Sequence, residues 1–214
     1  MRRLPGMSKL ERLEQEYRAH HERSRPSTFV FGGAERSEPI ARRVGSGVRV
    51  LDLGCRTGAL TSHYLAGNEI VGVDVDREAL AEAAKLGIET LFADLDEALP
   101  FADASFDVVV VAEILEHLQF PARLVEEAAR VLRPGGRIVG SVPNGYRLKS
   151  RLEFLLGGPP DRDPTHLQLF APDHVRQLFP GWVEVELEFV AGRLVPLNGP
   201  LFANDIVFSA RRPG

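Results

Sequence analysis

The sequence predicts an α/β protein with a mostly parallel β-sheet, helices on both faces of that sheet, and an antiparallel hairpin at its end. Three observations predict this fold class. Short apolar runs alternate with helical segments over residues 48–142, which is typical of parallel strands joined by crossover helices. The run at 106–112 is the most β-branched of the chain, as expected for a buried central strand. The last two apolar runs have no helix between them, which favours antiparallel pairing.

Two helices are expected before the alternating region. Residues 7–23 are predicted to form the first, because Ser8 and Glu11 make a capping box and the apolar residues that follow share one face. Residues 24–36 are a polar connection that contains Gly and Pro. A second, short helix is predicted to follow Ser37.

The alternating region is predicted to hold five strands and three helices. Asp76 can cap the start of the second helix and Gly87 its end. Pro121 opens the third helix, and the Arg-Pro-Gly-Gly sequence at 133–136 breaks it. The predicted strands are 48–53, 69–73, 90–93, 106–112 and 137–142, and the predicted helices are 59–66, 77–86 and 121–132.

The last third of the chain changes character. Residues 146–156 look helical, and 157–164 are rich in Gly, Pro and Asp, as loops are. A short helix is predicted at 172–179. Strands at 182–190 and 203–211, joined by a long connection, form the expected hairpin.

The bulk composition excludes several classes of protein. The 214 residues suffice for one core, and the net charge of −4 does not indicate a nucleic-acid binder. The single Cys55 excludes a disulfide framework and a multi-cysteine metal site, so no metal ligand is predicted. The densest apolar stretch, 108–118, contains two Glu and one His and is too short to span a bilayer. Since the first residues lack an apolar signal stretch, we expect a cytoplasmic protein without membrane contact.

An acid and two glycines follow the first strand. The carboxylate of Asp52 suits a positively charged group, while Gly54 and Gly58 allow a ligand to approach the backbone and the free amides of a helix start. The spacing is not G-x-G-x-x-G, because Arg56 lies between the two glycines, and this argues against a nicotinamide-dependent oxidoreductase. An ordinary strand-to-helix turn is the alternative.

Two further acids end the next strands. Asp74 comes about 20 residues after Asp52, where a doubly wound sheet places a ribose-binding carboxylate. The competing role, a helix cap, is already filled by Asp76. Asp94 can accept a hydrogen bond from an adenine amine, and Leu95 can offer its amide and an apolar wall. Considered by itself, Asp94 is interpreted as a loop acid.

The central strand is followed by a stretch that would line the floor of such a site. His117 is a candidate general base because its ordinary pKa lies near neutrality, although a lone His is more often structural. His166 is a second candidate, in a segment that would cover an acceptor pocket. Glu113 and Glu116 are interpreted as solvated or helix-start acids.

Taken together and in this order, these motifs resemble those of the class I S-adenosylmethionine-dependent methyltransferases, of the ubiquinone-biosynthesis and methyltransferase-domain kind. The resemblance covers roughly residues 48–142 and implies a Rossmann-like fold with a seven-stranded sheet. It is carried by the sequences at 52–58, 72–74, 94, 106–109, 115–118 and 132–136.

The resemblance also implies roles for individual residues. The turn after the first strand would lie near the methionine part of S-adenosylmethionine, the second strand end at the ribose, the third at the adenine, and the fourth beside the sulfonium. Arg56 departs from the family, which usually has Gly there; if that backbone needs a positive φ, Arg56 could weaken cofactor binding. The implied cofactor-binding residues are Asp52, Gly54, Cys55, Gly58, Asp74, Val75, Asp94, Leu95, Ala112 and Glu113.

The implied activity is transfer of a methyl group to a small-molecule acceptor, with S-adenosylhomocysteine as the product. A base such as His117 or His166 is needed only if the acceptor must lose a proton. The segments at 141–158 and 165–170 are more loosely similar to MetW-like proteins. That similarity leaves open a cofactor-binding partner of another enzyme, without methyl transfer of its own.

Two units are expected along the chain. Residues 1–36 would form an amino-terminal helix and connection, with the helix acting as a lid or a dimer contact or simply packing on the domain. Residues 37–214 would form the cofactor-binding domain. Expected partners are the small-molecule acceptor and either a second copy of the chain or another enzyme.

Overall fold

A computed structural model describes residues 8–24, 33–161, 163–191 and 199–214. The strands of this part of the chain form one sheet: β1 Arg49–Leu53, β2 Glu69–Asp74, β3 Glu89–Phe92, β4 Phe106–Ala112, β5 Leu132–Pro143, β6 Val183–Val190 and β7 Asp205–Arg211. The α-helices are α1 Lys9–Ser24, α2 Gly33–Val44, α3 Arg77–Lys85, α4 Pro121–Val131, α5 Leu148–Leu155 and α6 Pro172–Gln177. Among these helices, none combines the length and apolar character that crossing a bilayer requires.

The strand order is β3-β2-β1-β4-β5-β7-β6. Strands β1 to β5 are parallel, and β7 runs antiparallel between β5 and β6. The predicted mostly parallel seven-stranded sheet with an antiparallel end is therefore confirmed. Since β2 and β4 lie on opposite sides of β1, the order of strands reverses there, and sheets of this kind bind ligands beside such a reversal.

The core lies on both faces of the sheet, and strand β4 shows why. Val109 and Val111 pack on one face in the cluster that includes α4, whereas Val108 and Val110 pack on the other in the cluster that includes α2. All four are fully buried. Because successive strand residues point to opposite faces, a continuous run of valines requires a helix layer on each side.

The start of α1 confirms the predicted capping box. The Ser8 amide donates to the Glu11 carboxylate at 2.8 Å, and the Glu11 amide donates to Ser8 Oγ at 3.2 Å. Residue 7, the predicted first residue of this helix, lies outside the described residues. Helix α2 begins at Gly33, not after Ser37, so the expected boundary between residues 36 and 37 falls inside a helix.

The predicted helix at 59–66 is wrong, because only a 3-10 turn forms, at Thr61–His63. The polar side chains of this segment have other partners. Thr61 Oγ1 and the Tyr64 hydroxyl donate inward to Asp52, and Ser62 Oγ donates to the Ala59 carbonyl. Such hydrogen bonds compete with the regular helical pattern.

Helix α4 ends at Val131, as predicted, but the predicted start of the fifth strand at 137 is wrong, because β5 begins directly at Leu132. The glycines let the strand continue through a distortion. Gly135 has φ +77°, and a Cβ on Gly136 would lie 2.9 Å from the Arg133 carbonyl oxygen. The pairing register with β4 shifts at this point, between Phe106 and Val108, as at a β-bulge.

Candidate functional site

A cleft of about 940 Å³ opens at the carboxyl ends of β1, β2 and β4. Helix α1 and residues 163–167 form further walls. Its position at the reversal of strand order is where the topology predicts a ligand. The sequence-predicted residues that line it are Gly54, Cys55, Asp74, Val75, Asp94, Leu95, Ala112, Glu113, His117 and His166.

Asp74 presents its carboxylate at the end of β2. Its Oδ2 accepts the Arg56 amide and its Oδ1 accepts the Asp76 amide, both at 2.9 Å. Burial raises the pKa of Asp74 to about 6. The capping role falls to Asp76, whose side chain accepts the amides of Glu78 and Ala79 at the start of α3. Each Asp74 oxygen keeps a lone pair for a ligand hydroxyl.

The turn after β1 requires glycine at two positions. Gly54 has φ +80°, and a Cβ there would lie 2.0 Å from Ile114 Cδ1; Gly58 has φ +74°, and a Cβ there would lie 2.7 Å from Ile88 Cδ1. Between them Arg56 adopts φ +49°. A left-handed non-glycine residue costs about 1–2 kcal/mol, so Arg56 carries strain that glycine would not.

The placement of Asp52 corrects the sequence-based expectation that its carboxylate meets a charged ligand group. Asp52 is 3 % exposed and is not among the residues that line the cleft. Its Oδ2 accepts Thr61 Oγ1 at 2.6 Å and the Tyr64 hydroxyl at 2.7 Å. The carboxylate therefore braces the turn from behind. Gly58 also lies outside the cleft lining, where it allows close packing on Ile88.

Cys55 lines the cleft but is 6 % exposed. Burial, together with the charges of Asp52 and Asp74, raises the pKa of its thiol. Its Sγ lies 2.5 Å from where a Cβ on Gly72 would stand. Cys55 is therefore a protonated packing residue beneath the turn.

Helix α1 is tied to the loops around the cleft by ion pairs. Lys9 Nζ lies 2.8 Å from Asp94 Oδ2, and Glu14 pairs with Arg77 at 2.5 Å. Leu13 and Tyr17 of the same helix line the cleft. The amino-terminal helix thus lies over the ends of β2 and β3, beside the predicted adenine position.

A buried charge cluster, which the sequence did not predict, closes one end of the cleft. Arg36 of α2 is 2 % exposed and lies 2.7 Å from Glu113 Oε2 and 3.4 Å from Asp205 Oδ1. Ser141 Oγ donates to Glu113 at 2.9 Å. Burial, followed by the charge of Glu113, raises the pKa of Asp205 to about 7. Glu113, interpreted as a solvated acid, is instead held in this cluster with φ +57°.

Glu116, likewise interpreted as a solvated or helix-start acid, lies in the 3-10 turn Leu115–His117 but is not solvated. It lines the cleft with 1 % of its surface exposed. Burial and the charge of Glu113 raise its pKa well above the usual range. Neither carboxyl oxygen has a hydrogen-bond partner within the described part of the chain.

The two histidines predicted as candidate bases lie side by side. Their ring centroids are 4.8 Å apart, and Tyr17 contacts the His117 ring edge-on at 5.8 Å. Burial, followed by the charge of His166, lowers the pKa of His117. His166 Nδ1 lies 2.6 Å from Asp161 Oδ2. The segment that carries His166 therefore closes against the end of β4.

Residues 51–140 match the family described as "Methyltransferase domain". They contain the carboxyl ends of β1, β2 and β4, at which the cleft opens, whereas the end of β5 lies beyond them. This part of the chain is similar to the class I S-adenosylmethionine-dependent methyltransferases. The predicted resemblance is thereby confirmed.

Individual members of this family resemble the chain in sequence and in structure. A probable S-adenosylmethionine-dependent methyltransferase of Mycobacterium tuberculosis is 34% identical over 143 residues, 64% of this chain and 50% of that protein. The ubiquinone biosynthesis O-methyltransferase of Xylella fastidiosa is 36% identical over 118 residues, 51% of this chain and 48% of that protein. The chain thus spans about half the length of these curated relatives.

Among solved structures, an S-adenosylmethionine-dependent methyltransferase of Thermotoga maritima, described as a possible histamine N-methyltransferase, has a similar fold. Its TM-score is 0.70 at 18% sequence identity, over 95% of this chain and 98% of that one. At this identity the likeness concerns the fold. The shared architecture places the cleft where this class of sheet binds its ligands.

Proposed function

We propose that the protein binds S-adenosylmethionine in the cleft and transfers its methyl group to a small-molecule acceptor. The observation that supports this most is the convergence of Asp74, Asp94 and the Gly54 turn, which end three neighbouring segments, on one cleft. Methyl transfer is an in-line displacement whose chemistry belongs to the cofactor. The task of the protein is to hold the acceptor atom against the methyl group.

The proposed cofactor contacts follow the order of the strands. Asp74 accepts both ribose hydroxyls, with Val75 beside it; Asp94 and Leu95 face the adenine. The Gly54 turn offers backbone to the methionine part, while Ala112 and Glu113 border the sulfonium. Asp52 acts through the turn that it braces and does not touch the cofactor.

The acceptor is proposed to lie on the side of the cleft lined by His117 and His166. Either ring could take a proton from an acceptor that must lose one, such as a phenol or an alcohol. The cytoplasmic location and the association with a second copy or another enzyme remain predictions.

Calorimetric titration with S-adenosylmethionine and S-adenosylhomocysteine tests the cofactor assignment. We expect saturable binding of both, and absence of heat at high protein concentration would refute it. Transfer of labelled methyl to candidate acceptors then tests the activity. Cofactor binding without turnover, together with a stably co-purified enzyme, would favour the non-catalytic partner role.

The affinity for the cofactor is expected to depend on pH through Asp74. The ribose hydroxyls need an ionised acceptor, and the pKa of this carboxyl is about 6. We therefore expect a constant Kd above pH 7 and a rise of about tenfold per unit as the pH falls below 6. Titrations from pH 8 to pH 5 measure this, with Asp74→Asn as the control that lacks the dependence. A Kd that does not change down to pH 5 would contradict it.

Helix α1 is proposed to act as a lid over the bound cofactor. The double variant Lys9→Ala with Arg18→Ala removes its ion pairs with Asp94, Asp76 and Glu78. Partly exposed pairs contribute up to about 1 kcal/mol each, so we expect the cofactor to dissociate roughly 3- to 10-fold faster. Stopped-flow fluorescence measures that rate, and Arg12→Ala on the exposed face of α1 is the control. Equal dissociation rates in both variants would exclude the lid.

A further inference from the structure

Three side chains with metal-ligating atoms meet at the acceptor side of the cleft. Glu116, His117 and His166 each offer one ligand atom, and these atoms all lie within 4.8 Å of one another. All three residues line the cleft. Two of them are neighbours in the turn after β4, and the third comes from the segment that closes over it.

Both histidines have the orientation that metal ligands show. His117 Nδ1 lies 3.2 Å from the Thr165 carbonyl oxygen, which can only accept, so this nitrogen carries the proton. His166 Nδ1 lies 2.6 Å from Asp161 Oδ2, an acceptor in its ionised form. In the neutral form of each ring, which is the form that binds a metal, the lone pair is then on Nε2. A carbonyl or carboxylate behind the distal nitrogen is the usual support of a metal-bound histidine.

Glu116 supplies a second observation, independent of the distances between the three side chains, that points to a bound cation. Its carboxyl group is 1 % exposed, and neither oxygen has a hydrogen-bond partner among the described residues. Burying a polar group without a partner is unfavourable, and more so for a charged group. The neighbouring Glu113 does not share this situation, because Arg36 and Ser141 hold it. A cation between Glu116 and the histidines would satisfy the orphaned carboxylate.

The segments that carry these ligands are fixed to each other through the backbone. The Leu167 amide donates to the Glu116 carbonyl oxygen at 2.8 Å, and Gln168 Nε2 donates to the Leu118 carbonyl oxygen at 3.2 Å. His166 is thus held beside the turn that carries Glu116. Ligands on mutually fixed segments lose little conformational entropy when they bind an ion.

We propose that Glu116, His117 and His166 bind one divalent first-row transition-metal ion. Two imidazoles and one carboxylate favour zinc, iron, manganese or cobalt over magnesium and calcium, which take oxygen ligands. Bond lengths of about 2.1 Å place the ligand atoms about 3.4 Å apart in a tetrahedral site, so binding draws the side chains together. The ion keeps an open position towards the cleft, because the described residues supply three ligands.

This site revises the expectation that the chain has no metal ligand. That expectation considered cysteine, and the ligands here are nitrogens and an oxygen from distant parts of the sequence. On the basis of the function proposed above, an ion at this position would bind an oxygen of the acceptor and lower its pKa. The inferred acceptor class is then an alcohol or a phenol, and the histidines hold the ion instead of taking the proton.

Metal binding by the full chain, stripped with a chelator and free of cofactor, tests the site directly. After incubation with Zn²⁺ and desalting, atomic emission should report one zinc per chain for the wild type. Titration with Co²⁺ should produce ligand-field absorption bands in the visible range. His166→Ala and Glu116→Gln should lose both signals. His63→Ala, which removes an exposed histidine of the 3-10 turn, should keep both.

The results separate this proposal from the proposed function. Thermal unfolding of each variant shows whether it is folded, and His166→Ala, at the cleft surface, serves if Glu116→Gln does not fold. Wild-type protein that retains no zinc, or zinc retained equally by folded His166→Ala, would overturn the metal site. Calorimetry with S-adenosylmethionine, performed without metal, reports on the cofactor site alone and is expected to be unaffected by His166→Ala.

Discussion

Replacement of Asp74 with alanine is expected to weaken S-adenosylmethionine binding by about 100-fold or more. The proposed loss is that of two hydrogen bonds from the ribose hydroxyls to an ionised carboxylate, which contribute about 1.5–3 kcal/mol each. Since 1.4 kcal/mol corresponds to about tenfold in Kd, even the lower value for each bond gives this factor. Isothermal calorimetry at pH 7.5, where the carboxyl is ionised, measures the change.

The design must separate binding from folding, because Asp74 also accepts the amides of Arg56 and Asp76. Asp74→Asn keeps an acceptor for one of these amides and serves as the milder variant. Asp173→Ala changes an exposed side chain of α6 and is the control, for which we expect an unchanged affinity for the cofactor. If the Asp74 variants have the same unfolding temperature as the wild type and bind the cofactor with unchanged affinity, the assignment of Asp74 to the ribose is wrong.

The second large effect is a loss of protein stability, which we expect when Arg36 is replaced. Arg36→Met should lower the free energy of unfolding by about 3–5 kcal/mol, because it leaves the buried Asp205 and the partly buried Glu113 without this cation. Arg36 is 2 % exposed and pairs with Glu113 and Asp205. Urea denaturation at pH 8, above the pKa of about 7 of Asp205, measures the loss.

A matched control and a compensating variant make this prediction specific. Arg42→Met lies on the same helix, but its side chain is 55% exposed, so we expect a change below about 1 kcal/mol. Adding Glu113→Gln to Arg36→Met should recover part of the loss, because one uncompensated charge is removed. An Arg36→Met protein as stable as the wild type would show that the cluster does not stabilise the fold.

The sequence was sufficient for most of the fold because hydrophobic periodicity and chain connectivity determine it together. The valine run of β4 required burial on both faces, and the alternation of runs and helices required parallel strands. The predictions of secondary structure failed where hydrogen bonds of individual side chains determine the local backbone conformation. The segment at 59–66 has helical periodicity, but Thr61 and Tyr64 turn inward to Asp52.

The candidate site was predictable where the course of the backbone alone places a residue at the cleft. Asp74 and Asp94 follow strands, and strand ends of a parallel sheet meet at one edge, so their place in the cleft follows from their place in the sequence. Asp52 occupies an equivalent position, yet its carboxylate turns behind the β1 turn. The direction of a side chain depends on neighbours that arrive from elsewhere, here Thr61 and Tyr64.

By itself, the sequence determined the order of the elements, the edge of the sheet at which the cleft opens, and the class of cofactor that its motifs suit. These properties follow from residues close together in the chain. Only the tertiary structure decided that Arg36 pairs with Glu113 and Asp205, that α1 covers the cleft, and that His166 lies beside Glu116 and His117. Such contacts join segments far apart in sequence, and packing, not local pattern, sets their distances and burial.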